Sequence, residues 1–296
     1  MKHFDDINDD EIRIIGNENH PATPPSRPFW RRWWFWVICA VVWLCLALVI
    51  FFVAKGGSRP HHGGYDTENL EMAMPAETDA VAPTLVKSAP ATVVERDTVV
   101  NDVPLRLRTP VNALPELIVG IPDSTDEHLV LVLQAADIRA DNHGIVGAFV
   151  RKGELLSRGV AKRGFCAIIG RSMQLGMAES TPLFEEAINK EGYFFRQYPL
   201  VESGRMEENK PKGKALRHAL CELDGRIVTV SSLDKESFHD FAQALEDLGV
   251  ESALALTGGD AYGFLRDDES GFQSWGDIRL WKNAPNVNFI VWRRAE

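Results

Sequence analysis

Two kinds of apolar pattern alternate with long polar stretches along this chain. The longest apolar run, residues 33–54, contains no charge, no Pro and no Gly over 22 positions. As a helix it would extend roughly 33 Å, enough to cross a hydrocarbon core of about 30 Å. No face of it is polar, so the pattern predicts a transmembrane helix rather than a buried core helix. The run exceeds the usual length of a signal-peptide core, and no small-x-small cleavage site lies before Lys55-Gly56-Gly57-Ser58. Arg27, Arg31 and Arg32 precede it against Lys55 and Arg59 after it, with Trp30, Trp33 and Trp34 as interfacial anchors. That bias orients the N-terminus to the cytoplasm and the C-terminal part to the periplasm or the cell exterior.

Beyond residue 97 the pattern shortens to strand length. Residues 103–108 alternate, and 117–121 and 129–134 are apolar runs bounded by Pro, Gly or Asp. Further strands are predicted at 145–150, 165–169, 173–177, 216–222, 227–231, 252–256 and 287–293. Two helices stand out. Residues 182–190 follow a Ser180-Thr181 cap with Pro182 in the first turn. Residues 234–249 carry Phe238, Phe241, Ala242, Leu245 and Leu248 at helical spacing and end at Gly249. Many strands with few helices predict an α+β domain, a mixed β-sheet core with few flanking helices, preceded by the one transmembrane helix.

Composition sets the boundaries. Residues 1–32 are acidic and then Pro-rich, a disordered tail; 55–96 turn to Gly, Pro, Ala, Thr and Glu, a flexible linker; 97–296 are left to fold as one globular domain. The net charge of −10 argues against a nucleic-acid partner, which would need a basic field. Cys39 and Cys45 fall in the apolar run, leaving Cys166 and Cys221 in the domain as either two buried thiols or a bridge. No CxxC spacing or His/Cys cluster suggests a metal, and no cofactor motif is present.

Between 248 and 260 a helix leads into the strand Ser252-Ala253-Leu254-Ala255-Leu256 and then Thr257-Gly258-Gly259-Asp260. Two residues without Cβ atoms let a backbone approach a ligand closely, and they equally make a plain tight turn. With its surroundings this stretch resembles the phosphodiester glycosidase family, typified by an enzyme that removes a phosphate-linked N-acetylglucosamine. Gln134-Ala135-Ala136-Asp137, followed by 145–155, stands where that family has an Asn-Gly-Gly turn and a hairpin. Tyr198-Pro199-Leu200, ending at Gly204, is similar to its Pro-Leu strand, Arg217-His218-Ala219 to its Arg-Thr-Ala strand, and Asn288-Phe289-Ile290-Val291-Trp292-Arg293 to its closing strand. The likeness spans about residues 115–293. Typical members end the Gly-Gly strand in Asp-Gly-Gly-Gly-Ser, whereas this chain has Thr257-Gly258-Gly259-Asp260-Ala261. The Asn-Gly-Gly turn is replaced as well, which leaves activity open.

The resemblance implies a site for a sugar in phosphodiester linkage. Such chemistry needs a cation for the phosphate and carboxylates near the glycosidic oxygen. Arg217 is the phosphate candidate, with an ion pair to Glu202 or Asp224 as the alternative. Asp137 and Asp260 are the candidate catalytic carboxylates; otherwise Asp137 pairs with Arg139 and Asp260 caps its turn. Gln134, Thr257, Gly258, Gly259 and Tyr262 complete a candidate substrate-binding set. His218 points to the opposite sheet face from Arg217 and is left out. The function expected is that of a membrane-anchored, exported, phosphodiester-glycosidase-like protein of the cell envelope that hydrolyses or recognises such sugars. The alternatives are a non-catalytic glycan- or phosphoglycan-binding module on the same fold, and an envelope protein that meets another protein.

Overall fold

The computed structural model describes residues 80–83, 89–159, 161–268 and 271–295, all within one compact unit, Pro75–Glu296. The tail and the apolar run 33–54 lie outside the described residues. Among the described residues no helix is long and apolar enough to cross a membrane.

Among the described residues, seventeen strands form three sheets. The first runs in the order β1 (Thr92–Val100), β2 (Val103–Val111), β13 (Arg226–Ser232), β12 (His218–Leu223), β14 (Ser252–Leu256), β10 (Pro199–Glu202), β11 (Arg205–Met206). The second runs β16 (Gly271–Trp275), β15 (Gly263–Asp267), β4 (Leu129–Gln134), β17 (Asn288–Arg294), β3 (Ala113–Val119). The third runs β6 (Glu154–Ser157), β5 (Phe149–Arg151), β9 (Tyr193–Gln197), β7 (Gly164–Ile169), β8 (Ser172–Met177). Two short α-helices, α1 (Pro182–Asn189) and α2 (Phe238–Asp247), complete the described structure together with a 3-10 turn at Ile278–Trp281.

Every neighbouring pair of strands is antiparallel. This corrects the α+β expectation of a mixed sheet: the domain is a mostly β structure of three antiparallel sheets. The physical reason lies in the connections. Parallel neighbours need a crossover that returns the chain over a face. Here β1 to β2, β7 to β8 and β12 to β13 are joined by tight hairpins turning at Asn101-Asp102, Gly170 and Asp224-Gly225, residues with positive φ.

Alternation along the strands sorts side chains between a shared interior and three outer faces. Leu131, Leu133, Phe149, Cys166, Ile168, Phe195, Leu220, Leu254, Leu256 and Ile290, drawn from all three sheets, form the central core. The outer face of the first sheet is covered by α2, whose Phe241, Ala242 and Leu245 meet Leu105, Leu107, Val230, Ala219 and Ala253. On the third sheet α1 covers Val150, Ala167 and Phe194, and on the second Trp281, Ala284 and Val287 cover Val132, Phe264 and Phe289. Each helix begins at a hydroxyl cap, Thr181 for α1 and Ser237 for α2, that accepts a hydrogen bond from a first-turn N–H. Cys166 and Cys221 are both buried free thiols, so no bridge joins them.

Candidate functional site

One strand end from each sheet converges on a single neighbourhood. From the second sheet, β4 runs out into Ala135-Ala136-Asp137. The buried Asn288 side chain grips this turn: its Oδ1 accepts from the Ala136 N–H at 2.7 Å and its Nδ2 donates to the Ala136 carbonyl at 3.1 Å. From the first sheet, β14 runs out into Thr257, whose N–H donates to the Ala135 carbonyl at 3.1 Å and whose hydroxyl lies 3.3 Å from Asp137 Oδ1. From the third sheet, the approach to β7 delivers Lys162, which is ion-paired to Asp137 Oδ2 and donates to Gln197 Oε1 at 2.6 Å. Gln197 ends β9, is 1% exposed and also accepts the Tyr198 N–H, which fixes its amide orientation.

The contacts then close into a ring. The Lys162 ammonium sits 4.4 Å above the centre of the Tyr198 ring, Tyr198 packs edge-on against Phe238, and Phe238 carries the Arg217 guanidinium 4.1 Å from its centre. Back on the first sheet, the Gly259 N–H donates to the Leu216 carbonyl at 2.8 Å, and a Cβ on Gly258 would lie 2.6 Å from that same oxygen. Gly258 is therefore needed for closeness, and Gly259, at φ +65°, for its left-handed turn. Asp137, Lys162, Tyr198, Phe238, Arg217, Gly259, Gly258 and Thr257 thus follow one another around the ring.

Electrostatically, the ring combines two cations, a carboxylate and two aromatic faces. Burial pulls the Lys162 ammonium below the usual lysine range, and the Asp137 charge opposes that shift. Burial also lowers Arg217 from its ordinary value. The Lys162 side chain is only 6% exposed whereas Asp137 is 39% exposed, so an approaching molecule meets the carboxylate and not the amine. Arg217 Nε donates to the Glu236 carbonyl and one Nη to the Gly213 carbonyl, both at 2.8 Å, which fixes the plane of its fork.

Of the residues singled out in the sequence, the structure brings Asp137, Arg217, Thr257, Gly258 and Gly259 into this ring. Arg217 pairs with neither Glu202 nor Asp224 among the described contacts, and the partner of Asp137 is Lys162 rather than Arg139. Asp260 has an exposed side chain, its carbonyl accepts from the Asp277 N–H at 3.1 Å, and no bond joins it to Asp137 among the described residues. Gln134 alternates to the outer face of the second sheet beside Phe289, with its buried Oε1 unpartnered among the described residues. Tyr262 packs there too, against Phe264. No cluster of three or more His, Cys, Asp or Glu side chains suited to a metal occurs among the described residues.

Sequence reasoning missed Lys162, Gln197, Tyr198, Phe238 and Asn288. Lys162 lies in the basic stretch Arg158–Arg163, which reads as a solvated loop. Gln197-Tyr198 carried a usable signal, a polar pair at the end of the strand Tyr193–Gln197 and just before Pro199.

Neither a protein family nor a curated protein matches the chain in sequence. Its fold, in contrast, is similar to solved structures. The zebrafish N-acetylglucosamine-1-phosphodiester alpha-N-acetylglucosaminidase catalytic domain, auto-inhibited by its pro-peptide, aligns with a TM-score of 0.52 at 11% identity, over 74% of this chain and 89% of that one. A hypothetical protein from Synechocystis aligns with a TM-score of 0.49 at 13% identity, over 75% of this chain and 69% of that one. The first likeness is one of fold alone.

Proposed function

We propose that this glycosidase-like domain recognises a sugar in phosphodiester linkage. The observation that carries the reading is the ring itself: the Asp137 carboxylate, an acceptor for sugar hydroxyls, is closed into one circuit with the Arg217 fork and with the Tyr198 and Phe238 faces. A planar guanidinium suits phosphate oxygens, and the two rings hold the cations that flank the carboxylate. The fold likeness to a phosphodiester glycosidase supports the same ligand class. Recognition is favoured over hydrolysis because the ring holds a single carboxylate, whereas most glycosidases use two across the scissile bond. Hydrolysis is the second reading; its second carboxylate would be Asp260, immediately past Gly259 on the same turn.

The apolar run 33–54 supports anchoring in a membrane with the domain on the outer side, where an envelope glycan or phosphoglycan is the partner. The test is calorimetric titration of the full chain in detergent micelles with UDP-N-acetylglucosamine, alongside an assay for released sugar. Binding without turnover, weakened at least tenfold in Arg217→Ala and unchanged in Arg226→Ala, is the expected result. Release of sugar that is lost in both Asp137→Asn and Asp260→Asn would replace recognition with hydrolysis, and absence of binding would remove both.

A further inference from the structure

Lys162 has a backbone that lysine rarely adopts, φ +65°. Left-handed geometry at a residue other than Gly, Asn or Asp is strained and persists only where surrounding contacts over-determine it. The over-determining group is Arg196. This side chain is 4% exposed on β9 and gathers four main-chain carbonyls: Lys162 and Arg163 at 3.2 Å each, Ala178 at 2.6 Å and Glu179 at 2.9 Å. All four partners are peptide oxygens, so the charge is spent on folding the backbone around position 162. Gly147 makes room for the arrangement, since a Cβ there would lie 3.0 Å from Arg196 Cβ and 3.1 Å from the Ala161 carbonyl.

The backbone so held aims the Lys162 amine inward, where carboxylate, amide oxygen and aromatic face surround it on three sides. An amine this enclosed has little to offer a ligand directly. Its effect passes through Asp137, whose Oδ2 it fixes while Thr257 lies against Oδ1. The charged groups near this pair are Arg196, behind the Lys162 carbonyl, and Arg163, which faces outward to Glu207 at 3.7 Å.

We infer that Lys162 is the positioning residue of the ring, a buried counter-ion that presents the Asp137 carboxylate to the ligand, and that Arg196 is the clasp that sets Lys162 in place. The inference rests on the proposed ligand reading for its effect on binding, but the ion pair behind it can be measured without any ligand.

The experiment uses the full chain in micelles, with lysine carrying carbon-13 at Cε and the Lys162 resonance assigned through Lys162→Arg. With no ligand present, Asp137→Asn is expected to make that resonance titrate at lower pH, because the opposing charge is gone. A Lys162 titration indifferent to Asp137→Asn overturns the inference whatever the protein binds. Two variants then separate positioning from stability in titrations with UDP-N-acetylglucosamine. Lys162→Gly relieves the left-handed backbone and Lys162→Met keeps side-chain bulk, and both are expected to weaken binding at least tenfold with the cooperative melt retained. Wild-type affinity in both also overturns it. If wild-type protein binds no UDP-sugar, the ligand reading fails while the titration result still decides the role of Lys162.

Discussion

On β2, Leu105 and Leu107 turn outward beneath α2, while Arg106 and Arg108 turn the other way. The same division holds on β12, where Ala219 and Cys221 join the apolar layer and His218 faces inward. The outer layer is hydrophobic throughout, closed by Phe241 and Leu245 of the helix. The inner face carries a polar relay across four adjacent strands: Glu95 accepts from Arg108 Nε at 2.9 Å, Arg108 Nη1 donates to Ser231 Oγ at 3.2 Å, and Ser231 lies 2.8 Å from His218 Nδ1. Trp275 of the second sheet covers the Arg108 guanidinium at 4.2 Å. The Ser231 hydroxyl links the two basic groups, accepting from Arg108 Nη1 and sharing a hydrogen bond with His218 Nδ1. Two faces of one sheet therefore obey different rules. The outer one tolerates exchange among apolar residues of similar volume, and the inner one depends on matched donors and acceptors.

The contrast is broken most strongly from the apolar side. Phe241→Ala empties the centre of the layer under α2, and a loss of about 3–5 kcal/mol is expected in denaturant unfolding. A loss below about 1 kcal/mol would show that α2 does not close a packed core. The polar side is sharpened by pH. Burial and the neighbouring Arg108 push His218 down from 6.5 to about 4. The folded state thus favours the neutral imidazole, so this contribution is complete above pH 6.5 and is lost as pH falls toward 4. It amounts to about 3 kcal/mol at most. Wild-type protein should lose that much more stability across the window than His218→Gln, and equal losses would contradict the neutral assignment. The smallest effect is Ser231→Ala, which strands Arg108 Nη1 and His218 Nδ1 and should destabilise by about 1–3 kcal/mol. A neutral result would mean that the relay is dispensable.

How much of this was legible in the sequence follows the range of the interactions. Residues 129–134 and 252–256 were bounded correctly as strands, and both helices were found, because apolar runs and caps are local signals. Strands 92–100, 193–197, 263–267 and 271–275 were among those missed. Tyr193–Gln197 mixes aromatic and polar residues, and it is a strand through its pairing with β5 and β7. The strand expected at 145–150 is a three-residue β5, because Ile145 instead bridges Ile138 in a turn. The three hairpins turn at local Asn-Asp, Gly and Asp-Gly signals, but the order of strands within each sheet was not legible, since it joins partners more than 100 positions apart, as in β2 with β13. In the ring, the glycines and Thr257 announced themselves through motif spacing. Lys162 did not, because its burial depends on the clasp formed by Arg196 rather than on any pattern near position 162.

β17 lies between β4 and β3 rather than at an edge. During synthesis the second sheet consequently has a gap at its centre until residues 288–294 have left the ribosome. Asn288, the first residue of that strand, also grips the turn that holds Asp137. Folding order and site assembly are thereby joined. A chain that lacks this strand has β3 parted from β4 and lacks the Asn288 grip on the turn before Asp137. The turn that carries Asp137 gains its Asn288 grip only with the long-range docking of β17.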